Sequence, residues 1–211
     1  MTSPATSLRT TARRVGVLML SAFFLYGIGS SIATTAEAAS PLLTIGAVMM
    51  LLNSAAVVAI GILVVPVLRP TAPKIAISYL ATRIFEGVVL ALGVISLLAL
   101  SGTTAASGNF LAYNIAMLGL GFGSLFFCAA LFRSRLVPRF LAAWGFVGYA
   151  SFALGCVLEL LGFAGAGLVS TIPGGLFEVF FAIWLLVKGF TPRMSAAAAT
   201  QGVALSSTTR S

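Results

Sequence analysis

The chain has 211 residues, of which 60% are apolar and only 8% are charged, and its formal net charge is +8. An average soluble domain is about 45–50% apolar and about 25% charged, so this composition excludes a soluble globular enzyme, a disordered protein and a disulfide scaffold. The sequence contains neither His nor Asp, which excludes Ser-His-Asp triads, His-based zinc sites and aspartyl dyads. An integral membrane protein is the class that remains.

Six apolar stretches are long enough to cross a membrane, because a bilayer core about 30 Å thick needs roughly 20 apolar residues in a helix. Turn-forming Pro, Gly and Ser residues separate these stretches. The predicted spans cover residues 15–33, 42–68, 75–100, 110–132, 138–161 and 168–187. They are apolar on all sides rather than alternating, which argues against barrel strands. The predicted fold class is all-α, an integral membrane bundle of six transmembrane helices.

The basic residues predict the orientation of this bundle. Apart from Arg83, all of the 12 Lys and Arg residues lie before span one, between spans two and three, beside the turn between spans four and five, or after span six. The other three loops contain none. Because positively charged loops stay inside, both termini are expected to be cytoplasmic. We expect the basic residues to meet anionic lipid headgroups at that face, and not nucleic acid.

The ends of the chain have a different composition from the spans. Residues 1–11 and 191–211 are rich in Ala, Ser and Thr and are predicted to be disordered cytoplasmic tails, flanking a transmembrane domain of residues 12–190. An alternative is a cleaved signal peptide, with Ala36-Glu37-Ala38 as the cleavage motif. The preceding apolar run of about 19 residues is longer than the 7–15 residues typical of a signal peptide, so retention of span one is favoured.

Ionisable side chains within the predicted spans form the main candidate site. Arg83 and Glu86 are three residues apart and share one face of span three, and Tyr79 precedes Arg83 by four on the same face. Glu178 lies near the middle of span six, at a depth comparable to that of Glu86. One Arg and two Glu residues leave one acid without a partner, and a buried unpaired acid is expected to hold a proton. The favoured interpretation is a structural link between spans three and six, and the alternative is exchange of a proton or solute.

Two further polar residues are secondary candidates. Asn53 lies in the middle of span two, where a hydrogen bond to another helix is the favoured role. Glu159 lies near the external end of span five and is expected at the membrane interface. The sequence offers no metal-binding set of Cys and His residues and no nucleotide-binding loop. We therefore expect no catalytic residues, no metal and no cofactor.

Three phrases of the sequence carry a family resemblance. They are Arg83-Ile84-Phe85-Glu86, the turn RLVPRFL at residues 135–141, and the segment from Phe177-Glu178 to the closing WLLVKGF at residues 184–190. Together they resemble the bacterial membrane proteins catalogued as "domain of unknown function 4386", over roughly residues 11–190. The resemblance implies a multi-pass protein of the bacterial inner (plasma) membrane, and it implies no activity, substrate or cofactor.

Two functions fit these observations. The first is a non-enzymatic structural or partner-binding membrane protein with a buried Arg/Glu cluster. The second is a small proton-coupled transporter or permease that uses the carboxylates in the middle of the membrane. The partner would be an unknown membrane protein in the first case and a small solute in the second. An aqueous cavity that reaches Glu86 or Glu178 would favour transport, and a dry ion pair would favour the structural role.

Overall fold

The computed structural model describes residues 4–191, with side chains from Leu8 onward, and this part of the chain folds into six helices. They are α1 (Pro4–Thr35), α2 (Pro41–Leu68), α3 (Pro73–Ala99), α4 (Gly102–Ser134), α5 (Arg139–Leu160) and α6 (Ala166–Val187). Each of them is long and apolar enough to cross a membrane. The predicted all-helical fold with six apolar spans is confirmed.

The helices form a closed ring. Each helix packs against its neighbours in the chain, and α1 packs against α6. Neighbouring helices are antiparallel, as the contacts between α2 and α3 show: a Cβ atom on Gly61 would lie 2.9 Å from the Cβ atom of Arg83, and one on Gly87 would lie 2.8 Å from the carbonyl oxygen of Ser54. In this ring α3 stands opposite α6, so the two intramembrane acids approach the centre from opposite walls.

Small residues allow the helices to approach closely. A Cβ atom on Gly148 of α5 would lie 2.9 Å from the Cα atom of Gly174 on α6. Ser151, also on α5, donates a hydrogen bond of 3.3 Å to the carbonyl oxygen of Ser170. Close backbone contact of this kind is a common means of helix association in membranes, and here it holds α5 and α6 together within one chain.

Two helices, α1 and α4, begin well before the predicted starts of their spans. α1 begins at Pro4, so the prediction of a disordered tail at residues 1–11 is wrong for residues 4–11. Ala, Leu and Arg in this segment are good helix formers, and Ala12 and Val15 anchor it in the core. The predicted tail at residues 191–211 lies outside the described residues, except for Thr191.

α4 begins at Gly102 and not near the predicted residue 110. The Ser, Gly and Asn residues of this stretch are typical of a loop, but tertiary contacts keep it helical. Ser96 of α3 donates a hydrogen bond of 3.1 Å to the carbonyl oxygen of Ala105, and Asn109 is buried. Packing against α3 therefore outweighs the local preference for a turn.

One end of the ring carries the basic residues of the connections, and we call it the basic end. It is defined by Arg69, Lys74, Arg133, Arg135, Arg139 and Lys188. Apolar residues fill this end, among them Leu68, Val137 and Phe190. The backbone N–H of Thr191 donates a hydrogen bond of 2.8 Å to the carbonyl oxygen of Leu136. Two of the phrases that carry the family resemblance, the 135–141 turn and the closing phrase, therefore meet here and close the ring at this end.

Candidate functional site

A cavity of about 230 Å³ lies at the centre of the ring and is lined by residues from all six helices. This volume corresponds to roughly eight water molecules at about 30 Å³ each, and it is below the roughly 300–1,000 Å³ of pockets that hold drug-sized ligands. A ligand of this site would be small. The polar and aromatic residues of the lining are Phe23, Tyr26, Asn53, Arg83, Glu86, Tyr113, Tyr149, Phe152, Thr171 and Glu178.

On the α3 wall, an arginine is held by two neighbours of its own helix. Arg83 Nη1 donates to Glu86 Oε2 at 2.9 Å, and Arg83 Nε donates to the hydroxyl of Tyr79 at 2.9 Å. Arg83 and Glu86 are each 3% exposed. The Tyr79 ring stacks on Phe127 of α4 with a centroid distance of 4.2 Å, which fixes the group against the neighbouring helix. The three α3 residues of the predicted cluster thus form a buried and charge-neutral unit.

On the α6 wall, Glu178 is held differently. Its Oε1 atom accepts a hydrogen bond of 2.7 Å from the hydroxyl of Tyr149 on α5, and its side chain is only half-buried. Among the described residues, no Lys or Arg lies within 4.0 Å of this carboxylate, since the Arg83–Glu86 pair is the one ion pair found there. Glu178 is nevertheless within electrostatic range of Arg83 and Glu86. Arg83, the cation of the cluster, pairs with Glu86, so the cluster has no cation for Glu178.

Asn53 of α2 also faces the cavity, but it does not act as predicted. Its residue is 3% exposed, and within residues 8–191 its side chain makes no hydrogen bond to another helix. The expected interhelical hydrogen bond is therefore absent from the described part of the chain. Buried amides almost always have a hydrogen-bond partner. Since the described residues supply none, the Asn53 amide can bind water or a ligand in the cavity.

Glu159 lies outside the cavity and caps the start of α6. Its Oε1 and Oε2 atoms accept hydrogen bonds from the backbone N–H groups of Gly165 and Gly167, at 3.1 Å and 2.8 Å. The first N–H groups of a helix lack partners within the helix and favour a negative charge. The contacts of Glu159 therefore connect the end of α5 to the beginning of α6.

Two stacked aromatic pairs lie at different levels along the axis of the ring. Tyr26 of α1 and Tyr113 of α4 stack across the ring with a centroid distance of 5.3 Å. The Tyr79–Phe127 pair lies on the side of the basic end. Sequence analysis did not identify Tyr26 or Tyr149 as part of the site. Both are tyrosines within apolar spans, and a hydroxyl at such a position is the feature that could have identified them.

The chemistry of the lining suits a proton or a small polar solute. Within the described residues, no group of three Cys or Glu side chains is close enough to hold a metal ion. The lining offers one surplus carboxylate, four residues with hydroxyls (Tyr26, Tyr113, Tyr149 and Thr171) and one amide, against a largely apolar wall. Such a wall with a few convergent polar groups is typical of small-molecule sites.

A family model described as "Domain of unknown function (DUF4386)" matches residues 14–189 of the chain. Comparison with curated proteins and with solved structures gives no match. The matched segment contains every residue that lines the central cavity. The resemblance predicted from three short phrases is confirmed, and the chain belongs to the DUF4386 family, whose function is unknown.

Proposed function

We propose that this protein is a non-enzymatic, proton-coupled transporter or permease of a bacterial inner membrane, with both termini in the cytoplasm. The observation that supports the proposal most is the position of Glu178, an acid without a basic partner among the described residues, on the wall of a cavity that all six helices line. The central cavity is then the solute site, and Glu178 is the residue that gains and loses the proton.

The charge balance of the cavity supports this role for Glu178. The Arg83–Glu86 pair is neutral as a unit and is buried. Removing a charged group from water costs several kcal/mol, so a proton or a cation would stabilise a second carboxylate in the same cavity. Protonation of Glu178 therefore changes the net charge of the cavity by one unit, which is the change that couples a proton to a solute.

The basic end supports the proposed orientation. Arg69, Lys74, Arg133, Arg135 and Lys188 all lie at this end. Basic connections stay in the cytoplasm during insertion, and they attract the anionic lipid headgroups of that leaflet at about 1 kcal/mol per residue.

A structural role is the second candidate, and the α3 unit favours it. Tyr79, Arg83 and Glu86 bind one another and pack against Phe127. This arrangement stabilises α3 against α4 and needs no ligand. It does not account for the half-buried Glu178 or for the cavity.

Flux measurements in vesicles test the transport proposal. The purified protein is reconstituted into vesicles, and a pH difference is imposed across the membrane. Uptake of labelled glycine, glucose, tetraethylammonium and succinate is then followed. We expect the gradient to drive one of these solute classes into vesicles with protein and not into protein-free vesicles. Glu178→Gln should abolish that flux, because the amide keeps the shape of the side chain but cannot exchange a proton.

Glu37→Gln is the matched control, because Glu37 is an exposed carboxylate in the connection between α1 and α2. This variant should transport as the wild type does. The transport proposal fails if no solute class responds to the gradient while Glu86→Gln and Glu178→Gln both lower the melting temperature. That result would leave the structural role.

A further inference from the structure

The cavity is not closed equally on all sides. Its lining residues on α2, α3 and α5 are all buried, whereas several lining residues on α1 and α6 are exposed or half-buried. Phe23 is 49% exposed, Gly27 is exposed, and Gly175 and Glu178 are half-buried. The open side therefore lies between α1 and α6.

The spacing of α1 and α6 shows where they separate. A Cβ atom on Gly16 would lie 2.7 Å from the carbonyl oxygen of Ala182, so the helices touch near the basic end. A Cβ atom on Gly175 would lie 3.8 Å from the Phe23 ring, so at this level the Phe23 side chain bridges the two helices, and one on Gly27 would meet nothing within 4 Å. The helices diverge from Gly16 towards Gly27 and leave a lateral opening, which we define by Phe23, Gly27, Thr171 and Gly175.

This opening lies at the depth of the hydrocarbon. Phe23 and Gly27 are eight and twelve residues beyond Val15, where the predicted span begins, or about 12 Å and 18 Å at 1.5 Å per residue. Both values fall within a hydrocarbon core about 30 Å thick. A molecule that passes through the opening comes from the bilayer and must be soluble in it.

We infer that the ligand of the cavity is a small organic monocation with an apolar body, which enters from the bilayer through the lateral opening between α1 and α6. This inference rests on the proposed function and names its substrate class. The half-buried Glu178 at the edge of the opening meets the cationic group first. The apolar and aromatic lining, including Phe152, then surrounds the body, and aromatic faces attract organic cations.

The charged and titratable groups around Glu178 favour a cation over an anion or a neutral ligand. They are Tyr149 on α5, Tyr79, Arg83 and Glu86 on α3, Tyr113 and Cys128 on α4, and Tyr26 on α1; the lining residues of α2 include none. The one cation of this set, Arg83, already pairs with Glu86. A bound monocation would neutralise Glu178, whereas an anion would add a second unpaired charge.

The unpartnered Asn53 amide is an independent observation that points to a ligand. It is buried, it lines the cavity from α2, opposite the α5 wall, and the described part of the chain gives it no hydrogen bond. Its carbonyl oxygen can accept a hydrogen bond from an ammonium N–H or orient a water beside the cation.

Binding of benzyltrimethylammonium to the full chain in lipid nanodiscs tests the charge of the ligand. We expect saturable binding. Glu178→Gln should weaken binding by about tenfold or more, as expected for loss of a hydrogen-bonded or paired charge, while Glu37→Gln should bind as the wild type does. Neopentylbenzene, which has the same shape without the charge, should not compete. Equal competition by neopentylbenzene, or unchanged binding to Glu178→Gln, would overturn the inference.

A pair of tryptophan variants tests the lateral route. Gly27→Trp places a large side chain in the opening, where an added Cβ atom would have free space. This variant should slow benzyltrimethylammonium uptake into proteoliposomes severalfold. Ile28→Trp is the control, since Ile28 is the next residue along α1 and is 48% exposed without lining the cavity. Equal uptake rates for the two variants would exclude this route.

The two proposals fail in different ways. Uptake of succinate or glucose that depends on Glu178, without binding of benzyltrimethylammonium, would preserve proton-coupled transport and reject the cationic ligand. Absence of any flux driven by the pH gradient, with benzyltrimethylammonium still bound through Glu178, would reject transport and preserve the binding site.

Discussion

Glu86 and Glu178 lie on opposite walls of the same cavity, yet the protein holds them in different ways. Glu86 is 3% exposed and forms an ion pair with Arg83 three residues away on its own helix. Glu178 is half-buried, lies beside an opening and accepts one hydrogen bond, from Tyr149 on another helix. The first acid is part of a neutral buried unit, whereas the second has no cationic partner within residues 8–191.

Depth in the membrane does not by itself define the role of an acid. A buried acid with a cation on its own helix is compensated locally and needs nothing from outside. An acid without such a cation depends on a proton or a ligand. The three predictions below test this difference, and their expected effects decrease from the first to the last.

Arg83→Met should have the largest effect on stability. It leaves the Glu86 carboxylate buried without its cation, and removal of one partner of a buried ion pair costs about 3–5 kcal/mol. The double variant Arg83→Met/Glu86→Met should recover most of that loss, because two apolar side chains replace both charges. Thermal denaturation of the purified variants in detergent measures both effects. If the double variant were as unstable as the single one, Glu86 would not be the partner that matters.

Tyr149→Phe should have an intermediate effect. It removes the hydroxyl that donates to Glu178 and keeps the ring, which packs against Phe177 with a centroid distance of 5.7 Å. We expect a loss of about 1.5–3 kcal/mol, as for a hydrogen bond to a charged group. The same denaturation assay measures it, with Tyr149→Phe/Glu178→Gln as the reference. Additive losses in the double variant would contradict a direct interaction between the two side chains.

Asn53→Leu should have the smallest effect on stability. The Asn53 side chain makes no hydrogen bond within the described residues, so the protein loses no internal partner. We expect the free energy of unfolding to fall by no more than about 1 kcal/mol, the centre of the distribution for single substitutions. Its melting temperature should therefore stay close to that of the wild type, while binding of benzyltrimethylammonium weakens. A large loss of stability would show that Asn53 has a structural partner after all.

The sequence predicted much of this fold because the bilayer restricts it strongly. Six apolar runs of sufficient length give six helices, and the 3.6-residue repeat places Arg83 and Glu86 on one face. These are local properties that a single helix determines. The resemblance to the family likewise depended on short phrases at residues 83–86, 135–141 and 184–190.

The parts of the site that were not predicted depend on contacts between distant segments. Tyr149 reaches Glu178 because α5 and α6 pack closely through Gly148 and Gly174, and no spacing within one helix encodes that meeting. The early start of α4 and the absence of an interhelical partner for Asn53 also follow from packing. The lateral opening depends on the angle between α1 and α6, which hydropathy does not determine.

The contact between α1 and α6 also sets an order for the biosynthesis of the site. Every other wall of the ring joins helices that follow one another in the chain, so each can form as soon as the next helix enters the membrane. The contact between Gly16 and Ala182 joins the first helix to the last. Such long-range contacts are slow to form because the intervening loop must close first. The cavity is therefore complete only after α6 has been synthesised, and a ligand that contacts both helices would stabilise the newly closed ring.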